Sequence, residues 1–143
     1  MILSICIPSY NRLECLENCL NSILISSKNV DNFDFEICIS DNCSEKNPKH
    51  IVDKYKKELN IIFHRNNKNL GFALNAIQTL KLSKGKYAWL IGNDDLILPN
   101  TLNDLKKIFK SNEDVDYYFV NYYYLQSDYL KNFSHPFNTH ELK

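Results

Sequence analysis

Short apolar runs alternate with longer amphipathic segments along most of this chain. The first run, Ile2 to Pro8, is rich in β-branched residues and predicts a strand, and Phe35 to Ile39 and Ile61 to Phe63 predict two more. Tyr87 to Ile91 is aromatic or aliphatic throughout, which predicts a fourth strand that is buried on both faces. An unusually aromatic segment, Asp116 to Leu125, predicts a fifth strand.

Four segments between the predicted strands carry apolar residues at helical spacing, which predicts amphipathic helices. Asn11 and Glu14 have the spacing of a capping box at the start of the first helix. Pro48 and Pro99 suit the first turns of the second and fourth helices, and Gly85 is expected to end the third. The residues expected on the buried faces are Leu13, Leu16, Leu20, Ile23, Leu24, Ile51, Val52, Tyr55, Leu59, Ala73, Leu74, Ile77, Leu80, Leu102, Leu105, Ile108 and Phe109.

Strand–helix alternation, repeated four times, predicts an α/β fold with a mostly parallel sheet and helices on both of its faces. Right-handed crossovers place the carboxyl ends of the first four strands on one edge, where open α/β sheets bind ligands. A chain of 143 residues suits one domain. We expect residues 1–125 to form it, with residues 126–143 as a tail or the start of a further region.

Charge and cysteine usage narrow the class of protein. Seventeen basic and seventeen acidic residues cancel, so the chain has no broad basic field for nucleic acid. No apolar run approaches the ~20 residues of a membrane span, and the first residues lack the pattern of a signal peptide. Five cysteines without a CxxC motif favour reduced thiols. We therefore expect a cytoplasmic protein whose contact with a membrane, if any, is peripheral.

A group of polar residues follows each of the first four predicted strands. These groups are Ser9, Tyr10 and Asn11; Asp41 and Asn42; Asn66 to Gly71; and Asn93, Asp94 and Asp95. Adjacent carboxylates after a buried strand repel each other unless a cation compensates them, and Mg²⁺ or Mn²⁺ takes one or two carboxylates together with phosphate oxygens and water. We expect Asp95 or Asp94 to hold such an ion. The alternative is a polar turn in which both residues cap the next helix.

The glycine-rich loops that usually hold phosphates are missing, because the turn after the first strand contains no glycine. A divalent metal would then neutralise a phosphorylated ligand. Tyr10 offers a flat face on which a base can stack, and Asp41 can accept a hydrogen bond from a base N–H. Alternatively, Tyr10 packs at the sheet edge and Asp41 bonds to its own loop.

Several segments of the chain resemble motifs of the family 2 glycosyltransferases. These segments are Ile5 to Arg12, Ile39 to Ser44, Asn69 to Ala76, Gly85 to Asp95, and Leu98 with Pro99. The resemblance covers about residues 2 to 112 and implies the GT-A fold, a Rossmann-like α/β architecture. It further implies that residues 1–125 bind a nucleotide-sugar, and that residues 126–143 hold at most the start of the acceptor-binding half.

The resemblance also implies roles for individual residues. The expected nucleotide-binding residues are Pro8, Ser9, Tyr10, Asn11, Asp41, Asn75, Asn93 and Asp94. Asp41 is expected on the uracil, Asp94 near the ribose, and Asp95, with Asp94, on a Mg²⁺ or Mn²⁺ ion that bridges the diphosphate. Gly92 and Ser40 depart from the family pattern, because acids are common at both positions. The loss of the first acid implies a weaker metal site.

The implied reaction transfers a sugar from a nucleotide-sugar, expected to be UDP-linked, to a hydroxyl of a glycan or lipid-linked acceptor, with inversion. Cell-surface polysaccharide or glycan synthesis is the implied setting. The catalytic base is expected outside this chain, and the titratable residues of the tail, which lack a recognisable context, are Asp128, His135, His140 and Glu141. The alternatives are a catalytically incomplete nucleotide-binding module, a nucleotidyltransferase and a structural domain.

Overall fold

The computed structural model describes residues 1–111 and 114–122. These residues form a parallel sheet and four helices. The elements are β1 (Leu3–Ser9), α1 (Leu13–Lys28), β2 (Phe35–Asp41), α2 (Lys49–Tyr55), β3 (Ile61–Arg65), α3 (Phe72–Leu80), β4 (Tyr87–Leu90) and α4 (Thr101–Ser111). Every strand pair is parallel, which confirms the predicted α/β fold.

The strand order is β3-β2-β1-β4. The chain runs outward from β1 to β3 and then crosses back to β4 on the other side of β1. The order therefore reverses between β1 and β4, and such a switch point is where open α/β sheets bind ligands. We call the carboxyl ends of these two strands and the loops that follow them the β1/β4 edge.

The two faces of the sheet differ in chemistry. Ile5 and Ile7 of β1 belong to the hydrophobic core, together with Leu16 and Leu20 of α1. Side chains on the opposite face are small or polar, and the hydroxyl of Ser40 donates a 2.8 Å hydrogen bond to Oδ1 of a residue in α3. Because α1 contacts both α2 and α4 while α3 packs on β1 and β2, helices cover both faces, as predicted.

The buried face of α3 differs from the prediction. Ala73, Leu74, Ile77 and Leu80 were expected to point inward, but all four are exposed. The buried residues of α3 are Asn75, Ala76 and Thr79. The helix turns this face inward because the strands beneath it present hydroxyl and carboxylate groups, which need polar partners rather than leucine side chains.

Gly85 does not end α3, contrary to the prediction, because the helix stops at Leu80 with Lys81 as its C-cap. Gly85 instead lies against β1. A Cβ placed on Gly85 would lie 2.7 Å from the backbone nitrogen of Ser4. The glycine is therefore needed for the close approach of two backbones.

Strand β4 is not buried on both faces, contrary to the prediction. Tyr87 and Trp89 are half-buried, whereas Ala88 and Leu90 are exposed. Ala88 and Leu90 lie in register with Ser4 and Cys6 of β1. The physical reason for their exposure is that α3 packs mainly on β1 and β2, which leaves this face of the edge strand β4 uncovered. Ile108 of α4, expected on a buried face, is also exposed.

The predicted fifth strand is wrong for its described part, because residues 116–122 contain no strand. This segment contacts β4 through side chains instead of a backbone ladder. The hydroxyl of Tyr87 donates to the carbonyl of Val115 at 2.9 Å, and the ring of Tyr118 meets that of Tyr87 edge-on at 5.4 Å between centroids.

The predicted domain boundary after residue 125 and the tail at 126–143 lie outside the described residues. Within residues 1–111 and 114–122, no helix combines the length and the apolar character needed to cross a membrane.

Candidate functional site

The four polar loops of the sequence meet at the carboxyl edge of the sheet. The backbone nitrogen of Asn42 donates to the carbonyl of Ser9 at 2.8 Å, and that of Asn66 donates to the carbonyl of Asp41 at 2.8 Å. The amide of Asn93 donates to the hydroxyl of Ser9 at 3.1 Å. Each loop is thus bonded to a neighbour at the carboxyl ends of the strands.

Asn75 fixes the carboxyl ends of two strands from beneath the loops. Its side-chain oxygen accepts hydrogen bonds from the Ser40 hydroxyl at 2.8 Å and from the Asn66 amide at 2.9 Å. Its own amide donates to the carbonyls of Ser40 at 3.0 Å and Ser9 at 3.5 Å. Asn75 is 2% exposed. The Asn75 side chain, which was expected to bind the nucleotide, is therefore directed into the protein and holds the strand ends.

Asn42 extends this network into the loop before α3. Its side-chain oxygen accepts hydrogen bonds from the Leu70 backbone at 2.8 Å and from the Asn66 amide at 3.2 Å. Its amide donates to the side-chain oxygen of Asn69 at 2.7 Å. Asn42 and Asn66 were not among the predicted site residues. Their signal in the sequence was the density of asparagines in the two loops.

Asp41 is fully buried, and its carboxylate is engaged within the protein. The hydroxyl of Ser44 donates to one oxygen and the backbone nitrogen of Ser44 donates to the other at 3.2 Å. Nη1 of Arg65 lies 3.0 Å from the same second oxygen, and Nη2 of Arg65 donates to the Ser44 carbonyl at 2.6 Å. The alternative in which Asp41 bonds to its own loop is therefore realised in this structure.

Arg65 was not predicted as a site residue. Because β3 extends to Arg65, the parallel register places this residue directly opposite Asp41 at the end of β2. The prediction ended β3 at Phe63, two residues short of this pairing.

Asn11 joins two loops instead of capping α1. Its backbone nitrogen donates to the Ser44 hydroxyl at 2.9 Å, and its side-chain oxygen accepts a hydrogen bond from the Glu45 backbone at 2.8 Å. Its φ of 51° is incompatible with a helix start, so α1 begins at Leu13 with Arg12 as its N-cap, and the Arg12 side chain makes no capping hydrogen bond. The capping-box prediction is wrong for this reason.

The predicted nucleotide-binding residues fall into two groups by exposure. Tyr10, Asn11 and Asp94 are exposed at the edge, and Tyr10 retains 43% of its accessible surface. The buried group comprises Pro8, Ser9, Asp41, Asn75 and Asn93. The exposed residues can contact a ligand directly, whereas the buried ones form the frame that positions them.

The carboxylates of Asp94 and Asp95 converge above Gly92. A Cβ placed on Gly92 would lie 2.7 Å from Oδ1 of Asp94 and 3.0 Å from Oδ2 of Asp95. The backbone nitrogen of Gly92 donates to Oδ2 of Asp95 at 2.7 Å. Helix α4 begins six positions after Asp95, at Thr101, so neither carboxylate caps it and that alternative is wrong.

This pair of carboxylates fits a hard divalent cation. Within the described part of the chain, no donor contacts Oδ1 of Asp94 or Oδ1 of Asp95, which leaves both oxygens available as ligands. The described residues contain no group of three His, Cys, Asp or Glu side chains that could hold a metal ion. Two carboxylates suit Mg²⁺ or Mn²⁺, which complete their shells with phosphate oxygens and water.

A buried thiol lies directly beneath the carboxylates. Sγ of Cys19 donates a weak hydrogen bond to the Gly92 carbonyl at 3.9 Å. Burial raises the pKa of Cys19 well above its ordinary value of 9.0, and the negative charges of Asp95 and Asp94 raise it further. The thiol therefore stays protonated at neutral pH and offers no soft thiolate ligand to a metal.

The fold and the site define a Rossmann-like α/β protein with a ligand site at the switch point of its sheet. The chain belongs to glycosyltransferase family 2, because the model of that family matches residues 4–142. This finding confirms the resemblance noted in the motifs. It also makes the GT-A architecture the expected one for the parallel sheet described above.

Relatives and solved structures agree with this assignment. The chain is 39% identical over 117 residues to the abequosyltransferase RfbV of Salmonella typhimurium, covering 80% of this chain and 34% of that protein. It matches the crystal structure of residues 1–349 of TarS from Staphylococcus aureus in complex with UDP-GlcNAc, with a TM-score of 0.69, 26% identity, and coverage of 79% of this chain and 32% of that one.

A third match is to the fold alone. The mannosyltransferase PcManGT from Pyrobaculum calidifontis, in complex with GDP-Man and Mn²⁺, has a TM-score of 0.62 and 18% identity, with coverage of 75% of this chain and 32% of that one. The chain thus spans about a third of the length of RfbV and of PcManGT, and 18% of the length of TarS.

Proposed function

We propose that this chain is the donor-binding part of a glycosyltransferase, which binds a nucleotide-sugar at the β1/β4 edge. The observation that carries the proposal is the convergence of Asp94 and Asp95 above Gly92 at the switch point. The relatives support it by name, because RfbV is an abequosyltransferase and the TarS structure contains UDP-GlcNAc. We propose a UDP-linked donor and an acceptor hydroxyl on a glycan or lipid-linked intermediate of cell-surface polysaccharide synthesis.

The nucleoside is proposed to bind over the end of β1. The exposed ring of Tyr10 supplies a stacking surface for the base, and Pro8 and Ser9 form the wall behind it. Asp41 supports the base pocket from within, by holding Ser44 and the loop that carries it. Because Asp41 is fully buried, a direct bond from uracil to its carboxylate requires the loop that carries Ser44 to move aside.

The diphosphate is proposed to lie over Asp94 and Asp95. A Mg²⁺ or Mn²⁺ ion held by Asp95 and Asp94 would neutralise the charge that develops on the leaving diphosphate. Asn93 keeps this loop in place through its hydrogen bond to Ser9. The amide network around Asn75 holds the strand ends on which both loops depend.

We propose transfer with inversion, in which a general base takes the acceptor proton as the diphosphate leaves. This base is proposed to lie outside the chain, and the tail residues considered from the sequence lie outside the described residues. A donor-binding module without transfer is the alternative, because it would share the same site. Consumption of UDP-sugar in the presence of an acceptor distinguishes the two. Nucleotidyl transfer is not favoured, since β1 ends at Ser9 without a glycine-rich basic loop.

Thermal unfolding with a panel of nucleotides tests the proposal. We expect 1 mM UDP with Mn²⁺ to raise the Tm by several degrees, because a ligand at 100 times its Kd stabilises the folded state by about 2.7 kcal/mol. GDP and ADP are the controls for the base. A larger shift with CDP or dTDP would overturn the UDP assignment alone. The absence of a shift with every nucleoside diphosphate would overturn the proposed function.

A further inference from the structure

Arg12 links the two halves of the β1/β4 edge. It lies between the end of β1 and the first residue of α1, and its Nη1 forms an ion pair with Oδ2 of Asp94, a residue 82 positions away in the chain. Among the described residues, no other basic side chain contacts Asp94 or Asp95. The guanidinium therefore lies beside the oxygens that are proposed to bind the metal.

The ion pair between Arg12 and Asp94 is exposed to solvent, so its partners can be exchanged. The Arg12 side chain is 57% exposed and that of Asp94 is 52% exposed, so water screens their attraction and either partner can leave at little cost. Arg12 uses one of its five N–H donors in this contact. A planar guanidinium with several open donors matches the geometry of phosphate oxygens, which it can bind with two parallel hydrogen bonds.

The other arginine of the chain cannot take this role. Arg65 is bonded to Asp41 and to the Ser44 carbonyl, and its side chain is largely buried. Gly92 supplies no carboxylate, so the acids of this loop are Asp94 and Asp95. Two carboxylates bind a divalent cation more weakly than three would. A cationic side chain is then needed more to neutralise the diphosphate.

We propose that Arg12 is a diphosphate-binding residue, which exchanges its ion pair with Asp94 for phosphate oxygens of the donor. The proposal rests on the proposed function. In the free protein Arg12 occupies Asp94 and competes with a divalent cation for it. When the cation takes Asp94 and Asp95, the released guanidinium binds the phosphate side of the donor. Arg12 therefore weakens the binding of the metal alone and strengthens the binding of the nucleotide.

These opposite effects of Arg12 on metal binding and on nucleotide binding distinguish a diphosphate-binding role from a structural one. We would titrate the full chain and its Arg12→Met variant with UDP at saturating Mn²⁺, with uridine, and with Mn²⁺ alone. Methionine retains much of the length of the arginine stem and removes the charge. We expect the affinity for UDP at saturating Mn²⁺ to fall about tenfold, because a charge-assisted bidentate contact is lost. Uridine affinity should stay within about twofold, since the nucleoside lacks phosphate, and Mn²⁺ should bind about threefold tighter.

Two further variants serve as controls. Arg12→Lys should recover part of the UDP affinity, because it keeps the charge but loses the planar fork. Lys54→Met breaks another exposed ion pair between two elements, that of Lys54 with Glu17, and should change none of the three affinities.

The outcomes discriminate clearly. Equal losses of uridine and UDP affinity in Arg12→Met, or weaker Mn²⁺ binding, would indicate a structural role and overturn the proposal. Unchanged UDP affinity in Arg12→Met, with tight binding by the wild type, would overturn it while leaving the proposed function intact. Failure of the wild type to bind UDP or uridine would overturn the proposed function, and this proposal with it.

Discussion

Asp41 and Arg65 face each other at the ends of two neighbouring parallel strands, and Nη1 of Arg65 lies 3.0 Å from the Asp41 carboxylate. Asp41 is fully buried, whereas 29% of the Arg65 side chain remains exposed. Nη1 itself is buried and makes no well-directed hydrogen bond, so the contact is chiefly ionic. A buried carboxylate needs this charge, because desolvation of an unpaired ion is costly. The pair therefore stabilises the same loop that supports the proposed base pocket.

Removal of the cation should destabilise the protein. We expect Arg65→Met to lower the free energy of unfolding by about 3 kcal/mol, because it leaves the buried Asp41 carboxylate without a counter-charge. Urea denaturation followed by circular dichroism measures this change. The double variant Asp41→Asn with Arg65→Met should recover part of the loss, since it removes the uncompensated charge. A loss below about 1 kcal/mol in the single variant would contradict the account.

Asn75 should matter far more than the apolar residues beside it on α3. Asn75→Ala removes the partner of the Ser40 hydroxyl and of the Asn66 amide, so we expect a loss of about 2–3 kcal/mol in the free energy of unfolding. UDP affinity should fall as well, because the strand ends lose a common anchor.

The matched control on α3 is Ile77→Ala, since Ile77 is 48% exposed. We expect a change within about 0.5 kcal/mol. If Ile77→Ala proved the more damaging variant, the orientation of α3 described above would be wrong.

Substitutions of Gly92 should change metal affinity without unfolding the protein. The Cβ of Gly92→Ala would meet the flexible ends of Asp94 and Asp95, so the carboxylates must move apart and Mn²⁺ should bind more weakly, by about threefold or more. Gly92→Asp carries the same Cβ but adds a third carboxylate, so it should bind Mn²⁺ more tightly than Gly92→Ala does. Titration monitored by the electron paramagnetic resonance of free Mn²⁺ distinguishes these results. Equal affinity in all three proteins would show that the ion binds elsewhere.

The buried thiol of Cys19 should make the protein less stable at alkaline pH. Its pKa in the folded state is raised above 9.0, first by burial and then by Asp95, Asp94 and the neighbouring Cys15. The unfolded chain therefore loses this proton first as the pH rises. The stabilisation is complete below about pH 9 and declines above it, by up to about 1.4 kcal/mol per pH unit.

Comparison of variants isolates the share of Cys19 in this decline. Between pH 8 and 10.5, the free energy of unfolding of Cys19→Ala should fall less steeply than that of the wild type, whereas Cys43→Ala, at a partly exposed site, should follow the wild type. Parallel curves for all three proteins would contradict a buried, protonated Cys19.

The sheet and the meeting of its polar loops could be predicted because strand–helix alternation and the crossover rule determine them. Which face of α3 is buried could not be predicted from the sequence. Its apolar residues Ala73, Ile77 and Leu80 have helical spacing, but the face that is buried is chosen by Ser40 on the sheet, whose orientation follows from a register that the sequence does not display. The side-chain oxygen of Asn75 accepts the hydrogen bond from that hydroxyl.

The ion pairs, too, could be predicted from the sequence only in part. Asp41 was recognised from its motif, but its pairing with Arg65 required β3 to extend two residues beyond its apolar run. The contact of Arg12 with Asp94 crosses 82 positions of sequence, and no local pattern predicts it. Long-range polar partners of this kind depend on loop conformation, such as the positive φ of Asn11, more than on periodicity.

Calorimetric titration of the chain with UDP, with and without Mn²⁺, tests the central claim most directly. The account predicts binding that Mn²⁺ strengthens at least tenfold, and loss of this strengthening in Asp95→Ala but not in the control Asp104→Ala on α4. Absence of UDP binding, or UDP binding that is indifferent both to Mn²⁺ and to Asp95→Ala, would contradict it.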